Sequence, residues 1–222
     1  MMKNIVAFSL WGDHPMYWKG AIENIKLVNN LLPDFISRFY IDNKADEKLI
    51  ETIQGDNVEV MLVDSKDSFH GMFWRFFASE DDDVNIFLSR DCDSRISKRE
   101  VLAINEWLLS DKDFHIMRDH PYHTVPILGG MWGCRNGLMR KIELSKLIKD
   151  WTNFERKGVD QDFLANRVYP LIYKTAFEHS EFNLRFYNDI KSFPTSRENF
   201  EFVGDVFDEN NVRHPDYWRL IG

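Results

Sequence analysis

Residues 84–95 read VNIFLSRDCDSR, and this stretch decides the fold. Val84 to Ser89 is almost continuously apolar, as expected of a strand covered on both faces. It runs without a linker into Asp91 and Asp93, two carboxylates one residue apart. An abrupt change from buried strand to paired acids belongs at the carboxyl end of a strand in a parallel α/β sheet, where ligands bind.

Working upstream, the same pattern repeats. Residues 4–10 (NIVAFSL), 36–41 and 58–63 read as strands, and residues 16–32, 46–54 and 69–79 carry the apolar spacing of helices, with Asp46 as an N-cap. Strand–helix alternation predicts a mostly parallel central sheet flanked by helices on both faces, in a single α/β domain. Downstream the pattern is less regular. Helices are expected over 98–109, 138–151 and 159–168, and strands over 114–117 and 127–134, the latter through Gly129-Gly130, where the backbone approaches something closely. Short strand-like pieces such as FEFVGDVF fall in the tail from 174 to 222. No repeat or linker divides the chain, so residues 1–222 read as one domain, with a nucleotide-binding half of about 1–95 and an acceptor half of about 96–222.

Composition narrows the function. The 222 residues are 44% hydrophobic, with 18 Phe, 7 Trp and 7 Tyr, enough for a core and a surplus for stacking on rings. The formal net charge is −8 with no basic run, which argues against nucleic acid and requires a cation or local Arg beside any phosphate substrate. Cys92 and Cys134 match no zinc spacing, and the N-terminal apolar run is too short for a signal-peptide core or a membrane span, so a cytoplasmic setting is expected.

The residues just after the strands are the candidates. Asp91 and Asp93 converge on one hard cation, Mn²⁺ or Mg²⁺, which takes oxygen ligands and shares them with substrate phosphates. Against this stands a solvated turn. Ser9, Trp11, Asp64 and Ser65 follow the first and third strands, where a nucleoside would lie, or are simple turn residues. Arg75 has a fork suited to phosphate or sugar hydroxyls, or else an ion pair with the acidic run 80–83. Asp160, Gln161 and Asp162 open a helix and are candidates for the reaction face, with Asp160 as a plain N-cap the alternative. His120, Tyr122 and His123 form a polar aromatic loop that could take an acceptor sugar. Cys92 reads as a small buried apolar group.

FLSRDCDSR, residues 87–95, resembles the DxD segment of nucleotide-sugar glycosyltransferases of the GT-A fold. Trp74-Arg75-Phe76 just upstream, and Gly129-Gly130 and Asp160-Gln161-Asp162 downstream, keep the order of the retaining galactosyltransferase and glycogenin-like group. The resemblance implies a GT-A domain and a metal-dependent, retaining transfer from a nucleotide-sugar, UDP-sugar favoured, to a glycan or glycoprotein. It implies Arg75 on the donor, Gly129 and Gly130 beside the donor sugar, and Asp160 and Gln161 facing that sugar. Where that group has His-Phe-x-Gly and then Lys-Pro-Trp, this chain has Glu201-Phe202-Val203-Gly204 and no Lys-Pro-Trp. A third metal ligand is open among His179, Glu201, Asp205 and His214. If the reaction inverts instead, Asp160 or Asp162 must act as base. An aspartyl-nucleophile phosphotransferase or phosphatase, and a nucleotide-sugar-binding module without turnover, are the competing readings.

Overall fold

The computed structural model describes residues 2–64, 69–135, 137–154, 156–182 and 190–221; Ser65 lies outside them. Eight strands form one sheet: β1 Lys3–Leu10, β2 Phe35–Asp42, β3 Val58–Val63, β4 Val84–Ser89, β5 Phe114–Arg118, β6 Trp132–Arg135, β7 Ala176–Ser180 and β8 Ile190–Lys191. Their order is β3-β2-β1-β4-β6-β5-β7-β8. All pairings are parallel except those of β6, which runs antiparallel between β4 and β5.

The centre of the sheet is buried on both faces, and the strands show why. Along β1, Ile5 and Ala7 pack into one core with Phe87, while Val6, Phe8 and Leu10 pack into the other with Ile86 and Leu88. Alternate residues serve opposite cores, so neither β1 nor β4 has a polar face. The chain leaves β1 toward β2 and β3, then returns to place β4 on the other side of β1. That reversal opens a crevice beyond the carboxyl ends of β1 and β4.

Helix α1, Pro15–Leu31, starts after β1 with Pro at its first turn and His14 as N-cap, accepting from the Met16 amide at 3.3 Å. Helix α2, Glu47–Glu51, is capped by Asp46 as expected. Helix α3, Gly71–Trp74, tightens into a 3₁₀ stretch over Arg75–Glu80. Helix α4, Lys98–Leu109, is capped by Ser97. Among the described residues no helix is long and apolar enough to cross a membrane.

Three expectations are corrected, over 127–134, 138–151 and 200–207. Residues 127–134 are not one strand: pairing starts only at Trp132, because Gly129 and Gly130 turn tightly against side chains of the crevice. Residues 138–151 form two short helices, α5 Leu138–Lys141 and α6 Leu144–Lys149, broken at Glu143, whose φ is +54°. Glu80 takes the Ser145 amide at 3.1 Å at that break. The helix expected over 159–168 is present: α7, Val159–Phe163, widens into a π turn at Leu164–Val168. Pro170 follows in α8, Tyr169–Ile172, and has no amide to continue the ladder. FEFVGDVF is not a strand: it contributes the lone bridges Ser94–Val206 and Phe207–Arg213 around Gly204, whose φ is +87°.

Candidate active site

A cavity of about 340 Å³ opens beyond β1 and β4. Ser9 and Trp11 line it from the end of β1, Asp91 and Asp93 from the loop after β4, and Asp160 and Gln161 from α7. Arg75, Gly129 and Gly130 complete that wall. Residues scattered from position 9 to position 161 thus meet because the sheet reverses direction at β1.

Arg75 sits at the centre and is only 5% exposed. Its Nη2 donates to Asp160 Oδ2 at 2.8 Å, and its Nη1 pairs with Asp91 Oδ1. Its backbone amide donates to Ser9 Oγ at 2.9 Å, which fixes the 3₁₀ stretch against β1. Burial alone would lower the guanidinium, but Asp91 and then Asp160 hold it above its ordinary value. The ion pair with residues 80–83 is therefore ruled out: Arg75 turns inward to the two acids.

Asp160 is 3% exposed. Burial raises its carboxyl and Arg75 opposes the rise. It is not the N-cap of α7; that position is Gly158, in the left-handed region at φ +87°. The two glycines explain the close approach read from sequence. A Cβ on Gly129 would overlap Asp160 Oδ2, and one on Gly130 would overlap Asp91 Oδ2. Burial and the neighbouring charge of Asp91 push the Asp93 carboxyl up to about 6. Tyr17, one turn into α1, is pushed up to about 12 by burial and by the same two acids. Cys92 is buried between them, as expected, and burial drives its thiol upward.

Two named residues lie outside the cavity wall. Asp64 is exposed and bonded by Asn43, and Asp162 pairs with Arg156 on the outer side of α7. None of the four candidate third ligands lines the cavity. His179 is buried in β7 between His115 and Glu106, Asp205 is held by Arg213, and Glu201 and His214 lie in the tail. Among the described residues no group of three His, Cys, Asp or Glu is placed to hold a metal. Asp91 and Asp93 share one cavity, and the third carboxylate there, Asp160, is held by Arg75; such a pair fits a cation that completes its shell from substrate phosphate and water rather than a closed protein site.

Sequence reasoning missed Tyr17 and Lys157, which also line the cavity. Lys157 stands just before the 160–162 motif, the one available signal. A second cavity of about 250 Å³ adjoins the first and shares His123, Gly204 and Val206 with it. His120, Tyr122, Phe202 and Tyr217 line the remainder, so the aromatic loop joins the tail here. Asp119 donates its amide to His123 Nδ1 at 3.0 Å, so the neutral ring carries its proton on Nε2 and acts there as a donor.

Among solved structures, the fold is shared with a glycosyltransferase involved in the glycosylation of the major capsid of PBCV-1 (TM-score 0.52, 14% identity, 81% of this chain and 82% of that one). It is shared also with an active-site mutant of LgtC (TM-score 0.51, 15% identity, 79% of this chain and 72% of that one). A cytidylyltransferase from Leptospira borgpetersenii is similar at a TM-score of 0.49, with 16% identity over 82% of this chain and 77% of that one. No family model matches the sequence, and no curated protein is significantly similar to it. At these identities the likeness is one of architecture, and the chain has a GT-A-like α/β fold of the kind found in glycosyltransferases.

Proposed function

We propose that this chain is a metal-dependent glycosyltransferase that draws a sugar from a nucleotide-sugar, a UDP-sugar by preference, and transfers it with retention to a glycan or glycoprotein hydroxyl. One observation carries the reading: acids from two separate motifs, Asp91 and Asp160, meet on the single buried guanidinium of Arg75, against two glycines that leave room for nothing larger.

In this reading residues 1–95 hold the nucleotide and residues 96–222 the acceptor. Trp11 and Tyr17 are the aromatic surfaces near the base. Asp91 and Asp93 would hold Mn²⁺ or Mg²⁺, which neutralises the diphosphate and stabilises it as a leaving group. Lys157 at the rim offers a second positive charge to that diphosphate, where this chain lacks Lys-Pro-Trp. Arg75 fixes the direction of Asp91 and Asp160, and Gln161 presents a neutral amide to the sugar. The second cavity is the acceptor's entry. His123, bridging both cavities as an Nε2 donor, can orient an acceptor hydroxyl but does not take its proton in that tautomer. Cys92 and Cys134 are buried free thiols, in keeping with a cytoplasmic setting.

A thermal-shift screen of UDP-, GDP- and dTDP-sugars with Mn²⁺ tests the reading, because a bound donor raises stability by mass action. A UDP-sugar is expected to give the largest shift. Asp91→Asn and Asp93→Asn are expected to fold and to lose metal-stimulated donor hydrolysis. Full activity in both variants would refute the cation role. Donor binding without hydrolysis or transfer would leave a binding module, and a beryllofluoride adduct on Asp91 would replace the reading with phosphoryl transfer.

A further inference from the structure

The loop after β4 is moulded from beneath by α1. Asn24 is fully buried in that helix and spends its amide on the loop backbone. Its Nδ2 donates to Ser94 O at 2.8 Å and to Cys92 O at 3.4 Å, and its Oδ1 accepts from the Ile96 amide at 3.3 Å. One turn earlier, Gly20 lets the helix come so near that a Cβ there would overlap Cys92 O. Arg95 Nη1 reinforces the same two carbonyls, at 3.1 Å from Cys92 O and 2.9 Å from Ser94 O. The other two are also taken. Asp91 O accepts from Ser94 Oγ at 3.0 Å, and Asp93 O accepts from the Phe207 amide at 2.9 Å.

All four carbonyls from Asp91 to Ser94 are therefore turned to protein donors. The loop offers the cavity its two carboxylates in place of its carbonyls. Asp91 and Asp93 repel each other; Arg75 holds the Asp91 carboxylate, and a fixed backbone keeps both acids at the same cavity. We propose that Asn24 is a positioning residue for Asp91 and Asp93, setting the loop conformation in which both carboxylates face one divalent cation. This role rests on the cation reading of the two acids and adds to it a determinant outside the cavity.

The test is Mn²⁺ binding in the presence of UDP, followed by electron paramagnetic resonance, alongside the melting temperature. Asn24→Ala is expected to weaken Mn²⁺ binding roughly 10–100-fold, the range for residues that orient metal ligands. Asn24→Asp keeps the side-chain shape but replaces the amide donors with a carboxylate, and it is expected to weaken binding in the same direction should Asn24→Ala not fold. Ile172→Val, in the core on the other face of the sheet, is the control: it lowers the melting temperature and keeps wild-type Mn²⁺ affinity. A folded Asn24 variant with wild-type affinity would overturn the positioning role alone. A wild-type protein that binds no Mn²⁺ with UDP would remove the cation reading and this role with it.

Discussion

At the scale of single residues, Gly129 and Gly130 matter for what they leave out. Neither needs a left-handed backbone, since both lie outside the positive-φ glycines, so alanine is compatible with the chain itself. The obstacle is side-chain space, for a methyl at 130 meets Asp91 Oδ2 and one at 129 meets Asp160 Oδ2. Displacing a reacting or ligating group by about 1 Å can cost about 100-fold in rate. Gly130→Ala is therefore expected to lower donor hydrolysis by about that factor while far-UV circular dichroism stays unchanged; retained turnover would show that Asp91 need not hold its present place. His123 carries a different signature. Burial, and then His120, lowers its ring to about 3. In the unfolded chain it titrates near the ordinary value of about 6.5. The unfolded state thus binds more protons between those limits, and stability rises with pH across that window. His123's contribution is complete above about 6.5 and is lost as pH falls toward about 3. Urea denaturation at several pH values checks this: the stability difference between wild type and His123→Asn should grow from pH 4 to pH 6.5, and a flat difference would remove the claim.

At the scale of elements, legibility in the sequence followed the local apolar pattern. β3 and β4 stand where the apolar runs place them, and α4 begins and ends where its cap and spacing do. β4 buries an uncharged apolar run, β3 is a half-buried edge strand with the same apolar character, and α4 keeps its apolar spacing between its charges, so local pattern and structure coincide. β7 was hidden for the opposite reason. Its residues Glu178 and His179 are polar, yet both are fully buried, with Glu178 paired to Arg118 of β5 and bonded by Tyr169 at 3.0 Å. Partners from distant segments make such burial tolerable, and no local pattern announces them. The site divides in the same way. Asp91, Asp93, Arg75 and Asp160 were visible because each follows or opens an element near the carboxyl edge of the sheet. Asp162 and Asp64 shared that signal and still fell outside, since one residue of helical rotation past Gln161, or two strands out from β1, moves a side chain off the cavity. Asn24 gave no signal and Lys157 only its nearness to the 160–162 motif, because their roles arise only when α1 and the segment before α7 are folded against the loop.

At the scale of the whole molecule, the tail closes what the sheet opens. Gly204 and Val206 form walls of both cavities, yet they belong to a segment with few regular hydrogen bonds. A single buried acid fastens it. Asp119, fully buried after β5, accepts from Arg99 Nε at 2.8 Å and Nη2 at 2.9 Å, from Arg197 Nη2 at 2.6 Å and from the Val203 amide at 2.9 Å. Arg99 comes from α4, whereas Arg197 and Val203 come from the tail, so this carboxylate ties the tail to the body. Removing one partner of a buried pair typically costs about 3–5 kcal/mol because the remaining charges stay buried. Asp119→Ala is expected to lose stability of that order by denaturant titration. Hydrogen exchange adds a spatial prediction, since regions open with separate free energies. If the clamp is what holds the tail, amides of residues 197–207 should exchange faster in the variant while those of β1 and β4 stay protected. Donor binding should then weaken as well, because the Phe207 amide that holds Asp93 O lies in the loosened segment. Unchanged exchange across 197–207 would mean that the wall between the cavities is held by its aromatic packing instead, with Phe202 against His120 at 4.5 Å the first contact to test.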